Sequence, residues 1–232
     1  MLAETNPDAA RELAFRAGLE LVETPAGLTL TDGTLELRGD FARMLGRLRP
    51  ANLSRELLVR AARVRGAEAP AAVDATAGLG EDSLLLAAAG FAVTLYESDP
   101  VIAALLADAL RRAAADDRLA PVVARMRLVE ADSVAALPLV SPAPDVVYLD
   151  PMFPARTKSA AVKKKFQLLH RLEAPCGQPE DLLAAALAAR PRRVVVKRPM
   201  KGELLAGVRP SYSLAGKAVR YDVIVPPPRE GE

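Results

Sequence analysis

VDATAGLGEDS, residues Val73 to Ser83, runs out of a short apolar stretch into LLLAAAG, residues Leu84 to Gly90. An apolar strand, a glycine-containing turn and an apolar helix in that order open a βαβ unit. Gly78 and Gly80 let the backbone turn sharply and approach a ligand closely. The rhythm continues outward from this stretch. Strands are expected at Ala72 to Ala75, Ala92 to Tyr96, Met126 to Glu130, Asp145 to Leu149 and Arg193 to Lys197. Helical patterns lie between them at Glu81 to Ala89, Pro100 to Ala115 and Glu180 to Ala189. Apolar strands alternating with helices predict an α/β fold, a Rossmann-like and mostly parallel sheet with helices on both faces. Val208 to Leu214 and Val219 to Val225 have no helix between them, which predicts an antiparallel hairpin at the C-terminal edge. Residues 1–70 read as a small α+β segment and a possible substrate-docking element, residues 71–232 as the ligand-binding domain. In the first segment a helix is expected near Arg11 to Ala17. Alternating stretches follow at Leu19 to Glu23, Leu28 to Thr31 and Thr34 to Arg38, and then a helix at Leu53 to Val64.

The 232 residues suit one domain with a small appendage, and 51% apolar with 26% charged residues excludes long disorder. One cysteine, Cys176, and one histidine, His170, exclude a disulfide framework and a metal site of several Cys and His ligands. Cys176 is read as a loop or core thiol, and His170 as a structural residue or an RNA contact. The longest nearly apolar run, Leu84 to Tyr96, is too short to cross a bilayer, which takes about 20 residues. No signal peptide is visible at the N-terminus. These features lead to the expectation of a cytoplasmic protein with neither membrane nor metal as partner.

The net charge of +2 conceals segregation. Residues 38–65, 156–171 and 190–201 each carry a net +6, which leaves −16 for the remainder. A basic surface on an acidic body is the footprint of a nucleic-acid partner, provided the three windows share a face. Taken singly, each window also fits a solvated helix face or strand end.

Ligands of such sheets bind beyond the carboxyl ends of the strands. The first end carries Asp74, Gly78, Gly80, Glu81 and Asp82, with acids and no basic residue. A pyrophosphate would be repelled there, whereas a ligand bearing a sulfonium and an ammonium would be attracted, which points to S-adenosylmethionine. Acids also favour the first turn of any helix, so Glu81 and Asp82 fit both readings. Glu97, at the end of the second strand, is placed to accept from ribose hydroxyls. Beside it Ser98 and Asp99 precede Pro100, where a helix cap is also expected. Asp132 and Ser133 at the third end fit an adenine contact or another N-cap. The fourth strand leads into Asp150, Pro151, Met152, Phe153 and Pro154. There a carboxylate can orient an exocyclic base amine while the aromatic ring stacks on the base.

With these residues in view, the sequence resembles the ribosomal RNA small subunit methyltransferase J family. Its members are class I S-adenosylmethionine-dependent enzymes that methylate N2 of a guanosine in small-subunit (16S) rRNA. The resemblance rests on VDATAGLGEDS (Val73 to Ser83), YESDP (Tyr96 to Pro100), VVYLDPMFP (Val146 to Pro154), KSAAVKK (Lys158 to Lys164) and VVVKRP (Val194 to Pro199), and spans roughly Ala71 to Val225. It implies cofactor contacts at Glu81, Asp82, Glu97, Ser98, Asp132, Ser133 and Asp150. The family often has a basic residue where Glu81 stands and an Arg where Ser98 stands.

The resulting expectation is direct methyl transfer without metal or covalent intermediate. Asp150 orients the amine and Phe153 stacks, flanked by Pro151, Met152 and Pro154, while Lys158, Lys163, Lys164, Lys165, Lys197 and Arg198 bind phosphates of the rRNA or the 30S subunit. The rival readings are an amino methyltransferase acting on DNA or another RNA, an NAD-dependent oxidoreductase, and a non-catalytic ribosome-assembly factor. Tyr212, Lys217 and Arg220, in the last hairpin, are further candidates for substrate contact.

Overall fold

In a computed structural model, residues 6–151, 168, 171–172 and 179–227 are described. Met152, Phe153, Pro154, Lys158, Lys163, Lys164, Lys165, His170 and Cys176 lie outside the described residues. The chain opens with helix α1 (Pro7–Arg16), strands β1 (Glu20–Thr24), β2 (Gly27–Thr31) and β3 (Glu36–Leu37), and a 3-10 turn at Phe41–Met44. Three short helices follow: α2 (Leu45–Leu48), α3 (Pro50–Leu53) and α4 (Leu57–Ala62). The main sheet then begins. In chain order come β4 (Ala71–Asp74), α5 (Glu81–Ala88), β5 (Ala92–Glu97), α6 (Pro100–Ala114), α7 (Ala120–Val123), β6 (Met126–Glu130), α8 (Ser133–Ala136) and β7 (Val146–Leu149). Helix α9 (Pro179–Ala188) and strands β8 (Arg193–Pro199), β9 (Tyr212–Ala215) and β10 (Val219–Ile224) complete it.

The seven strands lie in the order β6-β5-β4-β7-β8-β10-β9. Strands β4 to β8 are mutually parallel, and β10 runs antiparallel to both neighbours, inserted between β8 and the edge strand β9. The expected α/β architecture is therefore present. Period-2 alternation sorts the strand side chains into two cores. Ala72, Val146, Tyr148, Val195 and Tyr221 face α5 and α4 in one cluster. Val73, Val147, Leu149, Val194 and Val196 face Leu182, Leu183 and Ala186 of α9 in the other.

The N-terminal segment shares the core of the sheet domain. Ala10, Ala14, Leu21, Leu30 and Leu37 pack against Val101, Ile102 and Leu105 of α6, and the last two are fully buried. Burial at that level contributes roughly 1.5–3 kcal/mol for each large aliphatic side chain. Asp108 of α6 accepts the Leu28 N–H at 3.0 Å and the Arg112 Nε–H at 2.7 Å, so a charged hydrogen bond fastens β2 to the helix.

The first strand of the last hairpin starts at Tyr212 and not at Val208, β8 runs on to Pro199, and three boundaries in the N-terminal segment differ from expectation. Asn6 accepts from the backbone N–H of Asp8 and Ala9, so α1 starts at Pro7 and not near Arg11. Asp32 accepts from the N–H of Thr34 and Leu35, which turns the chain and shortens the third strand to Glu36–Leu37. The helix expected over Leu53 to Val64 is broken at Glu56, whose backbone is extended at φ −61°, ψ 123°. Both Glu56 carboxylate oxygens accept from Arg47 at 2.8 Å, and the break rotates Leu58, Ala61 and Ala62 into the core.

Gly80 sets how closely this N-terminal segment approaches the glycine turn. Its φ is +76°, and a Cβ there would meet Leu106 Cδ1 at 2.7 Å and Phe41 Cζ at 3.2 Å. Gly80→Ala is expected to destabilise the fold by about 1–4 kcal/mol, combining overpacking with left-handed strain. Urea unfolding checks this, and a wild-type midpoint would contradict it.

Candidate active site

The site follows from strand alternation. Asp74 closes β4, and the parallel register sets it beside Tyr148 of β7. On β8, Val195 lies beside Tyr148, Lys197 is two residues further along, and antiparallel β10 sets Tyr221 beside Lys197. Asp74, Tyr148, Lys197 and Tyr221 therefore share the face that α5 covers, with Asp82 and Ser83 in the first turn of that helix above them. Asp150 continues the Tyr148 side of β7.

Hydrogen bonds join these groups. The Lys197 Nζ lies 2.7 Å from Asp82 Oδ2 and 2.9 Å from Asp150 Oδ2. The Tyr148 hydroxyl donates to Asp82 Oδ2 at 2.7 Å. The Ser83 hydroxyl donates to Asp74 Oδ2 at 2.5 Å, and the Thr76 N–H to Asp74 Oδ1 at 3.0 Å. Thr76 Oγ1 accepts the Asp150 N–H at 2.7 Å, which fixes the backbone of Asp150 against the glycine turn. That turn is itself held by Glu97, whose carboxylate accepts the Gly78 N–H and the Asp99 N–H, each at 2.9 Å.

The electrostatics follow from burial and charge. Asp74 is 1% exposed, and burial, assisted by Asp82 and Asp150, pushes its carboxyl from 3.8 up to about 7 against the bonds from Ser83 and Thr76. Burial raises Asp150 too, while Lys197 opposes the rise. For Lys197 burial favours the neutral amine, but the Asp82 and Asp150 carboxylates outweigh it and hold the ammonium charged. Burial and then Asp82 push the Tyr148 hydroxyl well above its ordinary value, so it stays a donor. Burial also raises Glu97.

The structure thus brings Asp74, Gly78, Gly80, Asp82, Glu97 and Asp150 to one rim of the sheet, with Pro151 buried beside them. Glu81 also opens α5 on this rim. Ser98 is exposed, next to Asp99, whose side chain caps α6. Asp132 is exposed and caps α8 by accepting the Val134 N–H at 2.9 Å, with Ser133 buried behind it. Two expectations are corrected. Lys197 lies between two carboxylates and does not face outward for phosphate. Arg198, on the opposite face of β8, is 4% exposed, with its Nε–H donated to the Glu203 carbonyl. Arg220, a candidate for substrate contact, donates to Asp222 and to the carbonyls of Pro199 and Met200. Tyr148, Thr76 and Tyr221 were missed. Counting back two residues from Asp150 finds Tyr148, but an aromatic inside an apolar strand reads as core.

The sequence model of the SAM_MT family of SAM-dependent methyltransferases matches residues 15–226. A relative from Thioalkalivibrio sulfidiphilus is 48% identical over 85% of this chain and 79% of its own length. One from Alkalilimnicola ehrlichii is 46% identical over 94% and 90%, and both are named Ribosomal RNA small subunit methyltransferase J. The chain belongs to that methyltransferase family. A solved SAM-dependent methyltransferase from Neisseria gonorrhoeae, 31% identical, superposes with a TM-score of 0.71 over 99% of this chain and 96% of that one. S-adenosylmethionine is the cofactor, and the rim fits it. A Cβ on Gly78 would meet nothing within 4 Å, so the turn is open on its ligand side. Asp82 and Asp150 outnumber the single Lys197 ammonium between them, leaving negative charge for a cationic donor to balance even while Asp74 holds its proton.

Asp74 gives a pH signature. In the unfolded chain it titrates near 3.8 and in the fold near 7, so between these values the fold holds a proton that the unfolded chain has lost. Stability from this group is therefore present at low pH and is lost as pH rises through that window. Asp74→Asn stays neutral, so it should gain about 1–3 kcal/mol on the wild type between pH 4.5 and 8 in urea unfolding. A constant difference across that range would rule out the buried proton.

Proposed function

We propose that this enzyme transfers a methyl group to the exocyclic N2 of a guanosine in small-subunit (16S) rRNA, free or within the 30S particle, in the cytoplasm. The observation that carries the reading is Asp150. It is a carboxylate at the end of a buried strand, fixed through its own N–H by Thr76 and through Oδ2 by Lys197, beside the glycine turn. The names of the relatives support small-subunit rRNA as the substrate. Among the described residues no helix is long and apolar enough to cross a membrane.

S-adenosylmethionine supplies a methyl group on a sulfonium whose departing sulfur keeps the electron pair of the broken bond. Glu97, beside the Gly78 turn, would hold the ribose hydroxyls. Asp132, Ser133 and Ser98 would border the adenine, and Glu81 and Asp82 would supply the negative field, with Asp74 beneath them anchoring Ser83. The Asp150 oxygens accept from the N–H bonds of the base amine, direct its lone pair and receive its proton as the new C–N bond forms. Holding nitrogen and methyl carbon in line supplies most of the acceleration, worth several kcal/mol. Phe153, between Pro151, Met152 and Pro154, stacks on a base turned out of its helix, and Lys158, Lys163, Lys164 and Lys165 bind nearby phosphates.

The N-terminal 70 residues dock the RNA in this reading. Arg43, Arg47, Arg49, Asn52, Arg55 and Glu56 line a groove of about 460 Å³ in which Glu56 pairs with Arg47, and Arg47 is close enough to the site for its charge to act on Asp82 and Tyr221.

Mass spectrometry of small-subunit rRNA from cells with and without the gene tests the reading, with loss of one N2-methylguanosine expected. In vitro, Asp150→Ala should lower kcat at least 100-fold and change RNA affinity less than threefold. Full activity of that variant would remove Asp150 from the chemistry, and labelling of DNA instead of rRNA would redirect the substrate assignment.

A further inference from the structure

At the opposite rim of the sheet, where β8 begins and β10 ends, Arg60, Arg63, Val64, Arg65, Arg192, Arg193, Tyr212 and Val225 line a groove of about 620 Å³. Five of the eight lining residues are arginines and none is an acid. Arg60, Arg63 and Arg65 come from α4 and the turn after it and are exposed. Arg192 is within 3.6 Å of Asp145, which also accepts the Ala71 N–H. Arg193 donates from Nη1 to the Ala61 carbonyl at 3.1 Å and to the Tyr212 hydroxyl at 3.2 Å, which ties α4 to the edge of the sheet and braces the tyrosine. The Arg193 Nε–H finds no acceptor among the described residues.

Gathering guanidiniums round one concavity raises the free energy of the bare protein through like-charge repulsion, and an anion lodged there relieves it. Guanidinium is the cation best matched to phosphate oxygens, with paired N–H donors in one plane. Tyr212, 41% exposed at the wall of the groove, offers a ring for stacking. The four steps along β8 from Arg193 to Lys197 span about 13 Å, so the groove lies too far from Lys197 and Asp150 to touch the reacting nucleotide. Between the two rims runs α4. Its start adjoins the Arg47 groove, and its end bears Arg60 and leads into Arg63 and Arg65. Two basic hollows on one path from the catalytic rim fit one long polyanion.

We propose that this second groove is an exosite for phosphates of the same RNA strand or helix whose target base enters the catalytic rim, several nucleotides away from that base. The inference rests on the RNA reading above and adds a separate binding site to it. The groove sets affinity and orientation and leaves the chemical step untouched.

The test uses Arg63→Ala/Arg65→Ala, two exposed side chains whose removal leaves the core intact. The probes are deproteinised small-subunit rRNA and 30S particles, both from cells lacking the enzyme. Dissociation constants across a salt series and single-turnover methyl transfer at saturating substrate are measured for both probes. The variant is expected to bind rRNA about 5- to 20-fold more weakly. Its log–log salt slope should be shallower by about one to two, as for the loss of one or two phosphate contacts, with an unchanged single-turnover rate. Wild-type affinity and slope on both probes would overturn the proposal. So would weakening confined to the 30S particle, which would assign the groove to a ribosomal protein. If the wild-type enzyme methylates neither probe, it is the RNA reading itself that fails, and the exosite with it.

Discussion

The ammonium of Lys197 between the carboxylates of Asp82 and Asp150 is the contact on which the site depends. It joins three elements that are far apart in sequence: the first turn of α5, the end of β7 and the second half of β8. Asp82 and Asp150 are both partly buried, and the ammonium between them offsets the repulsion of two carboxylates so near each other. It also orients both, and Tyr148 completes the hydrogen bonding of Asp82. Removing one partner of such a pair leaves an uncompensated buried charge, the costly case for buried ions.

Around this contact the fold separates two kinds of electrostatics. The rim of the parallel strands carries acids, and the field they make is strengthened by partial burial. The arginines of the two grooves lie outside it, on the N-terminal helices and at the opposite strand ends, where Arg60, Arg63 and Arg65 are exposed to water. Close packing of Gly80 against Phe41 and Leu106 keeps the two zones in register, because the segment that carries the arginines also braces the glycine turn.

The main sheet was legible because its strands are continuous apolar runs and its glycine turn is distinctive. Asp74, Glu97 and Asp150 were legible as acids at strand ends. The short N-terminal helices were not, since their boundaries are set by single tertiary bonds such as Arg47 to Glu56, which apolar spacing does not register. Lys197 was misread for a related reason. A lysine beside an arginine at a strand end suggests phosphate, and only the parallel register of β7 with β8 reveals that it lies between two carboxylates. Tyr148 was hidden by its chemistry, because one side chain serves as core packing along its ring and as hydrogen-bond donor at its tip.

Replacing Lys197 separates the two roles most directly. Steady-state kinetics of Lys197→Met, with folding verified by circular dichroism, are measured as a function of pH and salt. If the ammonium holds Asp150, kcat falls at least tenfold and the acid limb of the pH profile moves upward, because Asp150 loses the charge that opposes the rise imposed by burial. The salt dependence of RNA binding then stays that of the wild type. Unchanged kcat together with weaker, less salt-dependent RNA binding would place Lys197 on phosphate and contradict the assignment of the buried ion pair to the methyl-transfer site.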